Sequence, residues 1–317
     1  LDIEAFPVLR SKDGIDWEFC GKVVDSEEGI ISNWQPMIFE LPCNLGKLKE
    51  GTLLLAGCSR TPKGSITHMR IWYSLDFGES WSFLSNVADG LGFNPGHLSK
   101  GLWEPYLICS DDGVLYCFYS DELYAEEHSQ MIVYRKSVDG INWSDTFRVV
   151  ACKHPRLRPG MASVCRMSDG RYFITYEMIG MDGAPVYFKY GNTLDDWGDP
   201  ESDGNVIVTD DFVGPGATPF NCFCPGAGDK GALIVSGRFQ WGRPSSTGVD
   251  IYISYDLGKT WGHIDSPVPY KQDSKHRYSY SPCLYTRSDG KVIFLNDVNS
   301  DFDKEKADLK YSVLDFK

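Results

Sequence analysis

Two glutamates have the surroundings that acid–base chemistry on a sugar bond requires. Glu104 opens a predicted strand that runs to Cys109, and Glu177 closes a predicted strand that begins at Tyr172. Desolvation favours the protonated form of a carboxyl group, whereas a nearby cation keeps a carboxyl group ionised. Cleavage of a glycosidic bond requires one carboxyl group of each kind. Arg158 is the candidate cation. The alternative for each glutamate is a structural carboxylate that caps a loop or pairs with an arginine.

Other polar and aromatic residues are candidates for sugar contacts. Arg158 could bind a sugar hydroxyl or hold Glu177 ionised, with a surface ion pair as the alternative. Tyr119 and Asp121 fall on one face of a strand by its two-residue period, and we expect Asp121 to face the ligand. Further candidates are Trp34, Gln35 and Trp103, together with three residues near predicted inner-strand ends, Arg238, Tyr278 and Tyr280. The two tryptophans could stack on a sugar or pack inside a sheet.

The charge balance argues against several classes of partner. The chain has 317 residues, with 31 Lys and Arg against 44 Asp and Glu, which gives a net charge of −13. That charge repels nucleic acid phosphates and anionic lipid surfaces. No apolar stretch reaches the roughly 18 residues of a membrane helix. We therefore expect no nucleic acid and no membrane as partner. Separately, we expect a monomer, with an oligo- or polysaccharide as the ligand of the candidate residues Glu104 and Glu177.

Histidine and cysteine spacing argues against a metal or cofactor. The six histidines show no ligand spacing such as His-x-x-x-His, and the ten cysteines are too sparse for a disulfide scaffold. Cys222 and Cys224 are closely spaced but lack a second pair at zinc-site spacing. We predict no metal, no cofactor and mostly buried free thiols.

One short pattern recurs along the chain, and it indicates the elements that would position these residues. A serine is followed by an aspartate, a glycine and a tryptophan, in copies that begin at residues 11, 74, 137 and 254, with a decayed copy at Asn192 to Trp197. The steps are 63, 63, 55 and 62 residues, a period typical of propeller blades. Turn glycines between the copies, mostly in Asp-Gly pairs, indicate hairpins. Each unit therefore reads as four antiparallel strands.

The recurring pattern resembles the Asp-box, or bacterial neuraminidase repeat, of the sialidase-like propeller superfamily. The resemblance implies an all-β chain that forms a six-bladed β-propeller with four-stranded antiparallel blades. Residues 5–10 lead directly into the first copy without a preceding strand pair, so we expect an incomplete first blade and five complete inner-strand units. We expect residues 1–317 to form a single catalytic domain.

Six stretches carry a more specific resemblance over nearly the whole chain. They are residues 35–42 (QPMIFELP), 51–57 (GTLLLAG), 103–107 (WEPYL), 117–121 (CFYSD), 158–161 (RPGM) and 170–177 (GRYFITYE). The chain resembles glycoside hydrolase family 93, the exo-α-1,5-L-arabinanases. The resemblance implies that Glu104 is the acid/base and Glu177 the nucleophile of a retaining mechanism that releases arabinobiose from the non-reducing ends of linear arabinan. Retention requires the two carboxyl groups to lie about 5 to 5.5 Å apart.

Departures from the family leave alternatives open. Glu122 and Leu123 follow the Tyr-Ser-Asp motif, where the family usually has an arginine close by. A non-catalytic glycan-binding propeller is one alternative, and an exo-sialidase is another, although its Arg-Ile-Pro motif is absent. A five-bladed arabinanase-like hydrolase of a different family is a further rival. The family is often secreted, whereas the unpatterned cysteines suit a reducing compartment, so secreted and cytoplasmic locations both stay open.

Overall fold

The computed structural model describes residues 5–14, 16–30, 32–61, 66–92, 100–242, 250–268, 280–301 and 306–316. These residues form 23 strands and one four-residue helix. The chain divides into two compact units, Leu1–Pro155 and Arg156–Lys317. No helix within the described ranges is long and apolar enough to span a membrane.

The first unit contains a hairpin and two four-stranded antiparallel sheets. The hairpin consists of β1 (Phe6–Ser11) and β2 (Trp17–Val23). The first sheet has the order β3 (Ser32–Glu40), β4 (Leu53–Arg60), β5 (Ile66–Ser74) and β6 (Ser82–Leu91). The second consists of β7 (Leu102–Cys109), β8 (Leu115–Asp121), β9 (Met131–Ser137) and β10 (Phe147–Val150), with the short helix α1 (Ala125–His128) after β8.

The second unit contains three further sheets and a small strand pair. One sheet has the order β11 (Arg158–Arg166), β12 (Tyr172–Ile179), β13 (Val186–Gly191) and β14 (Asn205–Val206). A second sheet has the order β16 (Phe220–Cys224), β17 (Ala232–Ser236), β19 (Ile251–Ser254) and β20 (Gly262–Ile264). The small strand pair consists of β15 (Gly214–Gly216) and β18 (Phe239–Trp241). The last sheet consists of β21 (Cys283–Thr286), β22 (Val292–Asp301) and β23 (Lys306–Leu314).

The all-β propeller is confirmed, but the expected number of blades is wrong. Within the described residues there are five blades, two in the first unit and three in the second, instead of six. Four of them have four antiparallel strands and the last has three. The first serine–aspartate copy lies between β1 and β2, which among the described strands pair with each other alone. Counting that copy as a sixth blade was the error, because the pattern marks an outer hairpin and not the inner strands that make a blade.

Each well-preserved copy of the pattern closes a turn with side-chain hydrogen bonds. The Ser74 hydroxyl donates to Asp76 Oδ1 at 2.8 Å and accepts the Gly78 N–H at 2.8 Å. Asp76 Oδ1 also accepts the Ser80 N–H at 2.9 Å. Equivalent serine–aspartate bonds of 3.0, 3.0 and 2.7 Å are made by Ser11, Ser137 and Ser254. Such turns hold the two outer strands of a blade together.

The core of each unit is built from the alternating inward faces of its strands. In the first unit the cluster includes Leu54, Met69, Leu107 and Cys117, all at most 1% exposed. The β1–β2 hairpin packs Phe6, Val8 and Val23 against Leu55 and Trp72 of the first sheet. In the second unit, clusters around Phe173, Leu233 and Tyr252 and around Ile234, Ile251 and Phe294 fill the space between sheets.

The first strands of three blades bend at the same place. Their register with the second strand shifts between Trp34 and Met37, between Trp103 and Tyr106, and between Gly160 and Ser163. The residue that follows the last regular pair has a positive φ in each case: 56° at Gln35, 56° at Glu104 and 54° at Met161. Non-glycine residues rarely adopt that backbone conformation, and bulges of this kind redirect a side chain.

Candidate active site

The bulge in β7 presents Glu104 to a set of polar partners in the first unit. Ser120 Oγ donates a hydrogen bond to Glu104 Oε2 at 2.7 Å, and Gln35 Nε2 donates one to Glu104 Oε1 at 3.1 Å. The backbone N–H of Glu104 in turn donates to Gln35 Oε1 at 3.1 Å. Both carboxylate oxygens therefore have a donor. Gln35, Glu104 and Ser120 are called the Glu104 cluster below.

Gln35 occupies in β3 the bulge position that Glu104 occupies in β7. The sequence predicts a sugar contact for this residue. In the structure its side-chain oxygen and nitrogen both bond to Glu104. Because these two bonds fix the amide orientation, Gln35 holds the glutamate that opens the neighbouring strand.

The Tyr119-Ser120-Asp121 motif is oriented differently from the expectation. Tyr119 is 1% exposed, lies in the core and has its hydroxyl 3.3 Å from Thr146 Oγ1. Asp121 is 2% exposed, and its Oδ1 accepts the Leu123 N–H at 2.7 Å. Burial raises the pKa of Asp121, against the opposing effect of that N–H. Strand alternation places Tyr119 and Asp121 on the face opposite to Ser120, whose hydroxyl contacts Glu104, so the two predicted sugar contacts are buried here and stay predictions.

Sequence reasoning missed Ser120, and cross-strand pairing is the signal that could have found it. Ser120 lies opposite Trp103, the residue that precedes Glu104, in the β7–β8 pair. The side chains of such opposed residues lie on the same face of a sheet. Only the register of the hairpin, which the bulge alters, places this hydroxyl beside the carboxylate.

The two candidate tryptophans each have a charged partner. Trp103 Nε1 donates to Glu122 Oε2 at 2.9 Å, and Glu122 is only 4% exposed. The guanidinium of Arg60 lies 3.8 Å from the ring centroid of Trp34, in a cation–π contact. Both indoles are half-buried. Glu122, which departs from the family pattern, thus serves to fix Trp103 beside the Glu104 cluster.

Glu177 lies on β12 in the second unit, opposite Gly160, the last paired residue of β11 before its bulge. It is 9% exposed, and its Oε2 accepts the Thr218 N–H at 2.7 Å. Burial raises the pKa of Glu177, while the Thr218 N–H and the charges of Arg158 and Arg238 act in the opposite direction. The sequence suggested Arg158 as the cation near this carboxylate, and the structure places both arginines close enough to influence it.

Glu177, Arg158, Arg238 and Thr218 are called the Glu177 cluster. Its two arginines are half-buried. Arg238 lies 4.3 Å from the ring centroid of Tyr280 and 5.0 Å from that of Phe239. Tyr278, another predicted contact, lies outside the described residues. Thr218 was not anticipated from the sequence; it has a φ of 39° and precedes a proline, as Gln35 and Glu104 do.

Glu177 and Ser120 hold the same register position in their respective sheets. Each lies on the second strand, opposite the last regular residue before the bulge of the first strand, at Gly160 and at Trp103 respectively. Cys58 takes this position in β4, opposite Trp34. Successive blades therefore present a thiol, a hydroxyl and a carboxylate from one structural position. Within the described residues no group of three or more histidine, cysteine, aspartate or glutamate side chains could hold a metal ion.

No family model matches the chain, and no curated protein matches it by sequence. Solved structures do. A Penicillium chrysogenum α-L-arabinanase complexed with arabinobiose is similar with a TM-score of 0.85 and 28% identity, over 98% of this chain and 85% of that one. An α-L-arabinofuranosidase of Fusarium graminearum bound to an iminosugar inhibitor is similar with a TM-score of 0.83 and 27% identity, at the same coverage.

A third similar structure is that of a glycoside hydrolase family 93 enzyme. The family 93 α-L-arabinofuranosidase of Fusarium graminearum, in complex with arabinobiose, has a TM-score of 0.82 and 27% identity, over 98% of this chain and 85% of that one. The similarity spans nearly the whole chain. These comparisons confirm the resemblance to glycoside hydrolase family 93 that the sequence motifs carried, and they identify the chain as a glycoside hydrolase of the arabinanase-like type.

Proposed function

We propose that the chain hydrolyses α-1,5-linked L-arabinan from its non-reducing end, with retention, and releases arabinobiose. The observation that carries the proposal is a pair of glutamates with different environments, in a chain similar over 98% of its length to an arabinanase complexed with arabinobiose. Glu104 has neutral donors on both oxygens. Glu177 is buried and has two arginine charges nearby.

In this proposal Glu104 is the acid/base and Glu177 the nucleophile. Glu104 transfers its proton to the departing glycosidic oxygen while Glu177 Oε1 or Oε2 attacks the anomeric carbon, which gives a glycosyl-enzyme ester and a free sugar end. Glu104, now ionised, then takes a proton from water, and that water cleaves the ester and regenerates the Glu177 carboxylate. Arg158 and Arg238 favour the ionised form of Glu177 that the attack needs.

Substrate contacts are assigned to residues beside the two carboxylates. Arg158 and Arg238 can donate hydrogen bonds to sugar hydroxyls, and Trp103 and Trp34 offer ring faces to a sugar. Glu122 fixes the indole of Trp103, and Arg60 covers one face of Trp34. We therefore favour Trp103 over Trp34 as the sugar platform.

The test is the product profile on linear debranched α-1,5-arabinan, with a sialoside assayed in parallel. We expect arabinobiose from the wild type, and a loss of about 10³-fold or more for Glu177→Gln and of about 10²- to 10⁴-fold for Glu104→Gln. Glu201→Gln, an exposed glutamate of the second unit, is the matched control and keeps full activity. A β-configured first product, seen by NMR, would contradict retention.

Other outcomes select the alternatives. No product from either substrate, together with saturable binding of arabinan, would favour a non-catalytic glycan-binding propeller. Release of sialic acid would favour an exo-sialidase. Single arabinose units as the first product would keep the hydrolase and overturn the predicted product length.

A further inference from the structure

The buried hydroxyl of Ser120 has no role in the proposed mechanism, yet it donates a hydrogen bond to the carboxylate of Glu104, the proposed acid/base. We propose that Ser120 is a positioning residue that holds Glu104 in one rotamer and supports its ionised form in the second half of the reaction. This inference rests on the proposed acid/base role of Glu104.

The geometry leaves the Glu104 carboxylate little freedom. Ser120 is 0% exposed and donates to Oε2 at 2.7 Å, while Gln35 donates to Oε1 at 3.1 Å. The backbone of Glu104 has a φ of 56° and is tied to Gln35 Oε1 through its N–H. Rotation of the carboxylate would break two hydrogen bonds at once, and a buried hydroxyl without its acceptor is costly. Ser120 therefore acts on the side chain and Gln35 on both side chain and backbone.

The hydrogen bonds from Ser120 and Gln35 also affect which protonation state of Glu104 is favoured. A hydrogen bond donated to a carboxylate is charge-assisted and is stronger than the same bond to a neutral carboxylic acid. Ser120 and Gln35 therefore favour the ionised Glu104 over the protonated one. After the glycosidic oxygen has taken its proton, Glu104 must remain an anion until water arrives, and these donors stabilise that anion. Removing the Ser120 hydroxyl therefore shifts the protonation equilibrium of Glu104 toward the protonated form.

The experiment compares Ser120→Ala with Ser59→Ala. Ser59 is a matched control because it is also 0% exposed, lies on the second strand of the neighbouring blade, and donates its hydroxyl hydrogen bond to Asn33 Oδ1 at 3.0 Å. The pKa of Glu104 is measured by ¹³C NMR of glutamate-labelled protein, with the resonance assigned by its loss in Glu104→Gln. The pH profiles of kcat, which includes hydrolysis of the glycosyl-enzyme, and of kcat/KM, which does not, are recorded on debranched arabinan for the same proteins.

We expect Ser120→Ala to raise the pKa of Glu104 and to move the basic limb of the kcat/KM profile upward by about one pH unit. Its maximal kcat/KM falls about tenfold, and the acid limb stays in place. Ser59→Ala changes neither limb. A titration of Glu104 in Ser120→Ala that matches the wild type would overturn the inference. If the wild type does not hydrolyse arabinan, the proposed function fails, but the NMR titration still decides whether Ser120 acts on Glu104.

Discussion

At the scale of single residues, the Glu177 carboxylate is under opposing influences. Burial raises its pKa, and the Thr218 N–H, Arg158 and Arg238 lower it without cancelling the rise. Because the folded state holds this proton more tightly than the unfolded chain, the group supports folding below the unfolded pKa, and that support is lost as the pH rises through the folded pKa. We expect Glu177→Gln to raise Tm by about 2–4 °C near pH 7 and to leave it unchanged near pH 4.

Thermal unfolding followed by circular dichroism at the two pH values checks this expectation. The exposed Glu201→Gln should not change Tm at either pH. A Tm of Glu177→Gln at or below that of the wild type near pH 7 would mean that the arginines and the backbone donor fully offset the burial. In that case Glu177, the proposed nucleophile, would not destabilise the folded protein.

At the scale of elements, the serine–aspartate turns that begin at Ser74, Ser137 and Ser254 join the outer strands of three blades. The Ser80 hydroxyl and N–H, together with the Ser74 hydroxyl, lower the pKa of Asp76 to about 2. A carboxyl group whose pKa is lowered by folding contributes stability above its unfolded value, and that contribution disappears as the pH falls through the folded pKa. Asp76→Ala should therefore lower Tm by about 2 °C near pH 7, with the difference shrinking below about pH 4.

Calorimetry across that pH range measures the effect. Asp16→Ala is the control, because Asp16 is exposed and its carboxylate takes no part in the described turn bonds. Equal losses of Tm near pH 7 and near pH 2.5 would show that the turn depends on the shape of the side chain and not on its charge.

At the scale of the whole molecule, the β1–β2 hairpin is one of two described strand pairs that do not belong to a blade, the other being β15–β18. Phe6 is 3% exposed against Leu55 and Trp72, whereas Phe19, on the same hairpin, is 64% exposed. Truncation of a buried phenylalanine costs about 3–5 kcal/mol. We expect Phe6→Ala to speed amide exchange in β1 and β2 by about a hundredfold or more.

Phe19→Ala is the matched control, with an expected effect within about 0.5 kcal/mol. Hydrogen exchange read by mass spectrometry separates the two variants, since the peptides of β1 and β2 report the hairpin directly. Unchanged exchange in Phe6→Ala would mean that Val8 and Val23 alone anchor the hairpin to the first sheet.

Much of this molecule follows from the sequence by itself. The repeat of serine, aspartate, glycine and tryptophan and the intervening turn glycines predict antiparallel blades, and five units with inner strands were correctly expected. The motifs around Glu104 and Glu177 carried the family resemblance. These features are readable because turn chemistry and strand alternation are local, and each depends on residues close together in the chain.

Only the tertiary structure decided which residues accompany the two carboxylates. Alternation showed that Tyr119 and Asp121 share a face, but it could not show that this face lies away from Glu104. The bulge at Glu104 and the pairing of Ser120 with Trp103 settled that point. Gln35 meets Glu104 from 69 positions away, and Thr218 meets Glu177 from 41. Contacts of such separation depend on how strands pair and sheets pack, and no local pattern in the sequence encodes them.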